Sequence, residues 1–155
     1  MPSSLRTLYH HALRLTARFT WLGPLVVRLV IGVAFLVTGW GKLHNLDKVT
    51  EYFASLHIPL PGAQAAFVST VELVGGAMLV LGLGTRIAAL LLIGVMTVAT
   101  LTAKLPEAES LIDLASTIEL TYLATFVWLV LAGGGRASLD HAIARRDQAE
   151  VGEPA

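Results

Sequence analysis

The run Gly23-Pro24-Leu25-Val26-Val27-Arg28-Leu29-Val30-Ile31-Gly32-Val33-Ala34-Phe35-Leu36-Val37-Thr38-Gly39-Trp40-Gly41-Lys42 decides the fold. It is nearly all Leu, Val, Ile, Ala and Phe, and a helix of about 20 such residues is what a bilayer core requires. At about 100° per residue, Arg28, Gly32, Phe35, Gly39 and Lys42 fall within an arc of roughly 80°. A face with a cation near each end and glycines between them must look at protein or water, because charge facing hydrocarbon is costly. The stretch therefore reads as a membrane span whose polar stripe points into a bundle.

Composition agrees. The 155 residues leave room for one domain, and 55% are hydrophobic against 14% charged. The mean hydropathy of +0.70 is high for a soluble globular domain. Net charge is zero, which gives no case for nucleic acid as a partner. The sequence has no cysteine, which excludes disulfides, thiol redox chemistry and cysteine-ligated zinc or iron–sulfur clusters.

Three further apolar runs follow: Gly62–Gly84, Arg86–Lys104 and Leu114–Ala132. The second and third spans are joined only by Leu83–Arg86 and so form a tight antiparallel hairpin. Leu105–Asp113, with Pro106 and three acids, links the third to the fourth. The unbroken part of the fourth, Leu120–Ala132, is short, and it spans only if Glu119 enters the membrane. The expected fold is all-α, a transmembrane four-helix bundle over residues 23–133. Arg6, Arg14, Arg18, Arg86, Arg136, Arg145 and Arg146 fall on one side of it and Lys42, Lys48 and Lys104 on the other. The positive-inside rule then puts both termini in the cytoplasm.

The flanks add detail. In residues 1–22, Leu5, Leu8, Ala12, Leu15 and Phe19 recur at helical spacing beside three arginines, the pattern of an amphipathic helix lying at the interface. The same arginines interrupt the apolar core that a cleavable signal would need. In residues 134–155, Ser138 can cap a short amphipathic helix containing Leu139 and Ile143, after Gly133-Gly134-Gly135 ends the last span. Leu43–Pro61 carries Tyr52, Phe53 and Leu56 at helical spacing, which predicts a short helix packed over the outer mouth of the bundle.

The polar groups within the spans gather toward one half. Glu72 lies near mid-membrane with Ser69, Gly75 and Gly76 as helical neighbours, small groups that let another helix approach closely. Thr97, Thr100 and Lys104 share a face of the third span, and Glu119 shares one with Ser116 and Tyr122. Lys42, Glu72, Lys104 and Glu119 thus converge on the outer half, with Arg28 below. Each has a structural alternative. Lys42 and Lys104 stand at span ends and can snorkel to the interface, and Arg28 can anchor the inner end. Glu72 is too deep to escape and must pair, hydrogen-bond or take up a proton, although a buried pair can be purely architectural.

Other patterns fail. Gly39-Trp40-Gly41-Lys42 lacks the first glycine of a phosphate loop and lies in a span. No histidine lies inside a span, which leaves paired haem ligation unsupported. His44 and His57 share the outer loop without a metal-ligand spacing, so no metal site is expected.

Arg28, Gly32, Phe35, Gly39 and Lys42-Leu43 resemble the opening signature of the DoxX family of small membrane proteins. Glu72-Leu73-Val74-Gly75-Gly76, Leu81-Gly82-Leu83-Gly84-Thr85-Arg86, and the closing Gly133–Gly135, Arg136 and Ser138-Leu139-Asp140 extend the resemblance over roughly Leu25 to Asp140. It implies a four-span bundle in a bacterial cytoplasmic membrane. It also implies a redox association, since the family name comes from a subunit of a thiosulfate:quinone oxidoreductase. The charged positions that match are Arg28, Lys42 and Glu72.

The expectation is therefore a redox-associated membrane subunit that handles a dissociable quinone. Glu72 is the candidate proton relay, with Glu119 as a second acid. Arg28, Lys42 and Lys104 are the candidate quinone-binding cations. Beyond the lipid bilayer, a redox partner protein or a second copy of the chain is the expected partner. The alternatives are an accessory or assembly subunit whose buried charges hold the bundle, and a small transporter using the same polar interior.

Overall fold

A computed structural model describes residues 17–151 of the chain. The opening run forms α1, Leu22–Leu43, which buries Arg28, Ile31, Gly32, Phe35 and Gly39, the face that its sequence marks as polar and glycine-bearing. The short α2, Leu46–Ser55, follows, then α3, Pro61–Leu81, which starts with a proline in its first turn, where the missing N–H has no helical partner to lose. Between them His57 and Leu60 adopt the left-handed conformation, and Ile58 N donates to Phe53 O to close the turn.

α1 and α3 pack as a tight antiparallel pair because glycines face each other along their line of contact. A Cβ on Gly76 would stand 2.6 Å from Leu36 N, and one on Gly39 would run into the backbone of Leu73 and Ser69. The small residues beside Glu72 thus serve the close approach that the sequence suggested. Gly82 and Gly84, with φ of +68° and +57°, make the sharp turn out of α3 that L side chains resist.

α4 begins at Thr85. Its α-helical part, Thr85–Ala99, passes through a π-helical turn at Thr100–Lys104 and ends in Leu105–Glu107, one apolar helix of 23 residues. Pro106 lies just past the widened turn; a proline ring crowds the carbonyl one turn back, and the π-turn gives it room. α5, Leu111–Ala115, is capped by Ser110, whose Oγ accepts from Asp113 N. It is followed by α6, Ile118–Ala132, and by α7, Leu139–Val151, in which Ser138 Oγ accepts from His141 N as the sequence predicts.

α1, α3 and α4 have the length and apolarity to cross a membrane, whereas α6 has 15 residues. At about 1.5 Å per residue α6 falls short of a hydrocarbon core of about 30 Å. The expected fourth run, Leu114–Ala132, is broken at Ser116–Thr117. The Ser116 and Thr117 hydroxyls donate to Asp113 O and Leu114 O, and Thr117 is extended, with ψ of 145°. Such local side-chain bonds compete with the helical ladder. Of the predicted interfacial segment 1–22, residues 1–16 lie outside the described residues.

The core joins the four apolar helices. Phe35 of α1 meets Tyr122 and Phe126 of α6 edge to face, with ring centroids 5.1 and 5.2 Å apart, and Leu79, Ala88, Ala89, Leu92 and Leu129 fill the space beyond. The start of α1, the Gly82–Thr85 turn and the closing segment 133–140 gather at one end. α2 and the start of α6 lie at the other.

Candidate functional site

At the α2 end the helices border a cavity of about 610 Å³. Apolar residues of α3 and α4 form much of its wall, and Phe53, Leu56 and Ile58, from α2 and the turn after it, roof it. The predicted amphipathic loop helix is thus a lid over a chamber.

The polar part of the wall contains four residues expected from the sequence: Lys42, Glu72, Lys104 and Glu119. Glu72 is buried on α3, and its Oε1 accepts from Lys42 Nζ at 2.6 Å. The lysine side chain remains 36% exposed while that of the glutamate is 2% exposed, so the pair bridges the rim and the interior. Glu72 Oε2 has no hydrogen-bond partner. A buried carboxylate oxygen without a donor is costly to leave unmet, and this one belongs to a side chain on the cavity wall.

Lys104 reaches the cavity at the end of the π-turn and lies 3.4 Å from Glu107, itself largely exposed. An α-helix advances 100° per residue, and the wider turn changes that phase, which is how Lys104 comes to share a wall with Ala99 and Ala103. Glu119 sits in the first turn of α6, half-buried, where the positive end of the helix dipole favours a carboxylate. Thr97 is exposed, and the buried Thr100 hydroxyl donates to Met96 O of its own helix, so neither threonine joins the cluster that the sequence grouped them with. Gln64, Tyr52 and Tyr122 line the cavity as well. Gln64 was legible in the recurrence Gln64, Val68, Glu72, one residue every four along α3.

Arg28 stands apart. It is fully buried at the opposite end of the bundle, outside the cavity, and is not the partner of Glu72. Its Nη2 donates to Ala137 O at 2.6 Å, and the guanidinium occupies the space a side chain on Gly82 would take. Around it the closing segment is locked onto the α3–α4 turn. Asp140 accepts from Gly84 N at 2.6 Å and Thr85 N at 2.9 Å, and its own N donates to Gly82 O at 2.9 Å. Asp140 therefore caps α4, which has no capping side chain of its own. Partial burial pushes the Asp140 carboxyl upward, but the two backbone donors and the nearby Arg28 charge outweigh it and hold it below the usual carboxylate range.

The arrangement offers an amphiphile an apolar chamber with a cation, a deep carboxylate and an outlying Lys–Glu set at its polar side. Among the described residues no group of three or more His, Asp or Glu is placed to hold a metal ion.

The sequence pattern that defines the DoxX family matches residues 23–105, which covers α1 to α4. The chain is 31% identical over 121 residues to the "Putative oxidoreductase CatD" of Bacillus subtilis, a match covering 77% of this chain and 85% of that protein. It is 26% identical over 125 residues to the "Inner membrane protein YqjF" of Escherichia coli, covering 81% and 95%. No solved structure gives a significant match.

Proposed function

The chain belongs to the DoxX family, and from that premise and the cavity we propose that it is a redox-associated subunit of the inner membrane that binds a membrane-soluble quinone between α2, α3 and α4. The observation that carries this reading is the buried Glu72, its Oε2 partnerless, on the wall of a mainly apolar chamber of about 610 Å³. That volume lies within the range of small-molecule sites, which pair apolar walls with a few placed polar groups. The naming of a similar protein as an oxidoreductase and of another as an inner membrane protein supports the class and the location.

A bound quinone supplies reversible two-electron, two-proton chemistry. The residues fit such a group. Lys42 Nζ, 2.6 Å from Glu72 Oε1, is a charged donor suited to a carbonyl oxygen. Glu72 holds the proton-accepting oxygen at depth, and Glu119 and Lys104 supply titratable groups nearer the rim, suited to proton exchange with water. The sequence has no cysteine, so electrons come from a partner protein or a diffusible donor. The arginine-bearing end, with the Arg86 turn and the tail, lies in the cytoplasm under the positive-inside rule.

Two measurements test this. Protein purified in mild detergent and extracted into organic solvent should carry quinone detectable by mass spectrometry, with retention at least tenfold lower in Glu72→Gln. Unchanged retention would remove Glu72 from the site. For orientation, cysteines placed singly at Lys48 and Arg146 should differ in intact cells, Lys48→Cys reacting with an impermeant maleimide and Arg146→Cys not; the reverse pattern inverts the topology.

A further inference from the structure

The cavity is open on its side. Phe67 and Val71 of α3 and Leu90, Leu91, Gly94 and Val98 of α4 all line it. Four of them are nevertheless well exposed: Phe67 at 61%, Leu90 at 55%, Leu91 at 47% and Val98 at 50%. Residues that face both a chamber and the outside border an opening. This one lies along two helices that are long and apolar enough to cross a membrane. The two helices touch where Leu92 packs on Gly75, 3.1 Å from the position of a Cβ there. On the α2 side of that contact the space next to Gly94 is empty for 4 Å around the place a side chain would fill. Every border residue is apolar, so the gap is suited to hydrocarbon and offers nothing to a hydrated solute.

Resting on the proposed quinone reading, we infer that the cleft between α3 and α4 at Gly94 is a lateral doorway from the lipid, and that it holds the polyprenyl tail of the ligand while the head sits at Lys42 and Glu72. The ligand is then a carrier resident in the membrane, taken up from the bilayer rather than from water. The roof made by Phe53, Leu56 and Ile58 presents apolar side chains toward the aqueous side, in keeping with that division. The chamber does not need to enclose a whole isoprenoid chain, because the cleft lets the tail trail into the surrounding acyl chains.

Carbodiimides test the doorway without any quinone, because they modify carboxyls and differ in the phase they reach. In nanodiscs, lipid-soluble dicyclohexylcarbodiimide should modify Glu72, mapped by peptide mass spectrometry, while a water-soluble carbodiimide should not. Lys42→Met, which removes the cation paired with Glu72, should speed the lipid-phase reaction and serves as the reactive background. In that background Gly94→Trp, which fills the cleft, should slow modification at least fivefold, and Val33→Trp, on the exposed face of α1 and outside the cavity lining, should leave it within twofold. Equal labelling by both reagents, or no slowing by Gly94→Trp, overturns the doorway. With the native Lys42, Gly94→Trp should lower retention of a long-tailed quinone at least tenfold and leave a short-tailed analogue within threefold. Loss of both to the same degree overturns the placement of the tail. If the carbodiimide results hold while wild-type protein retains no quinone of either length, the doorway stands and the quinone reading falls.

Discussion

The two ends of the bundle treat buried polar groups in opposite ways. At the Arg28 end, side-chain charge is matched to backbone: the guanidinium to Ala137 O, and the Asp140 carboxylate to two N–H groups at the start of α4. At the Glu72 end, side-chain charge meets side-chain charge, leaves one carboxylate oxygen free and borders empty volume. Backbone partners cannot leave without unfolding a turn, so the first end is fixed. A lysine with a third of its side chain exposed can shift, so the second can exchange one partner for another. Buried polar atoms without a hydrogen-bond partner occur at both ends, Arg28 Nε and Nη1 and Thr85 Oγ1 at the first and Glu72 Oε2 at the second. What separates a clasp from a candidate site is that, of these residues, only Glu72 lines the mainly apolar chamber.

The largest effect expected in breaking that contrast lies at the clasp. Asp140→Asn keeps the shape but turns an amide NH2 toward a backbone N–H. It should cost about 2–3 kcal/mol, the scale of losing a charge-assisted hydrogen bond and stranding a donor. A lower Tm and faster proteolysis after Gly133 are the readouts. The pH dependence follows from the direction of the Asp140 shift. Its carboxyl titrates lower folded than unfolded, so its contribution is complete above the ordinary carboxylate range and is lost as pH falls through the lower, folded value. The Tm gap between wild type and Asp140→Asn should thus be flat from pH 5 to 8 and close only in more acidic solution. A gap that closes near neutrality would assign the contribution to another group.

Glu72→Gln should cost less, about 1–2 kcal/mol, because Lys42 can turn outward to water and the amide still offers an acceptor. Its main consequence belongs to ligand retention. A stability loss matching Asp140→Asn, with retention unchanged, would make the Lys42–Glu72 pair a second clasp and erase the contrast.

Much of this was legible in the sequence, for reasons that differ between residues. The stripe from Arg28 to Lys42 encodes α1 and its buried face because helical period and the cost of charge in lipid act locally. The ends of one helix, however, belong to different neighbourhoods. A stripe shows that Arg28 and Lys42 face inward, but not that a backbone carbonyl about a hundred positions later takes Arg28 while Glu72 takes Lys42. The break at Ser116–Thr117 depends on hydroxyl-to-carbonyl bonds that hydropathy does not register, and so the fourth run reads longer than α6. Asp140 stands in the closing segment that resembles the family's, yet its capping role depends on α4 lacking a cap of its own. The opening at Gly94 left no sequence signal, since a glycine on an apolar helix looks the same whether it receives a neighbouring helix, as Gly76 does, or faces empty space.

The smallest expected effect is the one that tests how far the site extends. Glu119 lines the cavity from the first turn of α6 and has no ion pair among the described residues, whereas Lys104, on the same cavity wall, is paired with the exposed Glu107. Losing the favourable position at a helix N-terminus is worth about 0.3–1 kcal/mol, so Glu119→Gln should lower stability by less than 1 kcal/mol. If the carboxyl serves proton exchange at the rim, retention of quinone should change no more than two- to threefold, while reduction of bound quinone by an added donor should slow and its pH dependence should shift. Glu107→Gln, which alters the charge around Lys104 from outside the chamber, should leave that pH dependence in place. Identical behaviour of the two variants would confine the site to Lys42 and Glu72 and reduce Lys104 and Glu119 to charges at the membrane surface.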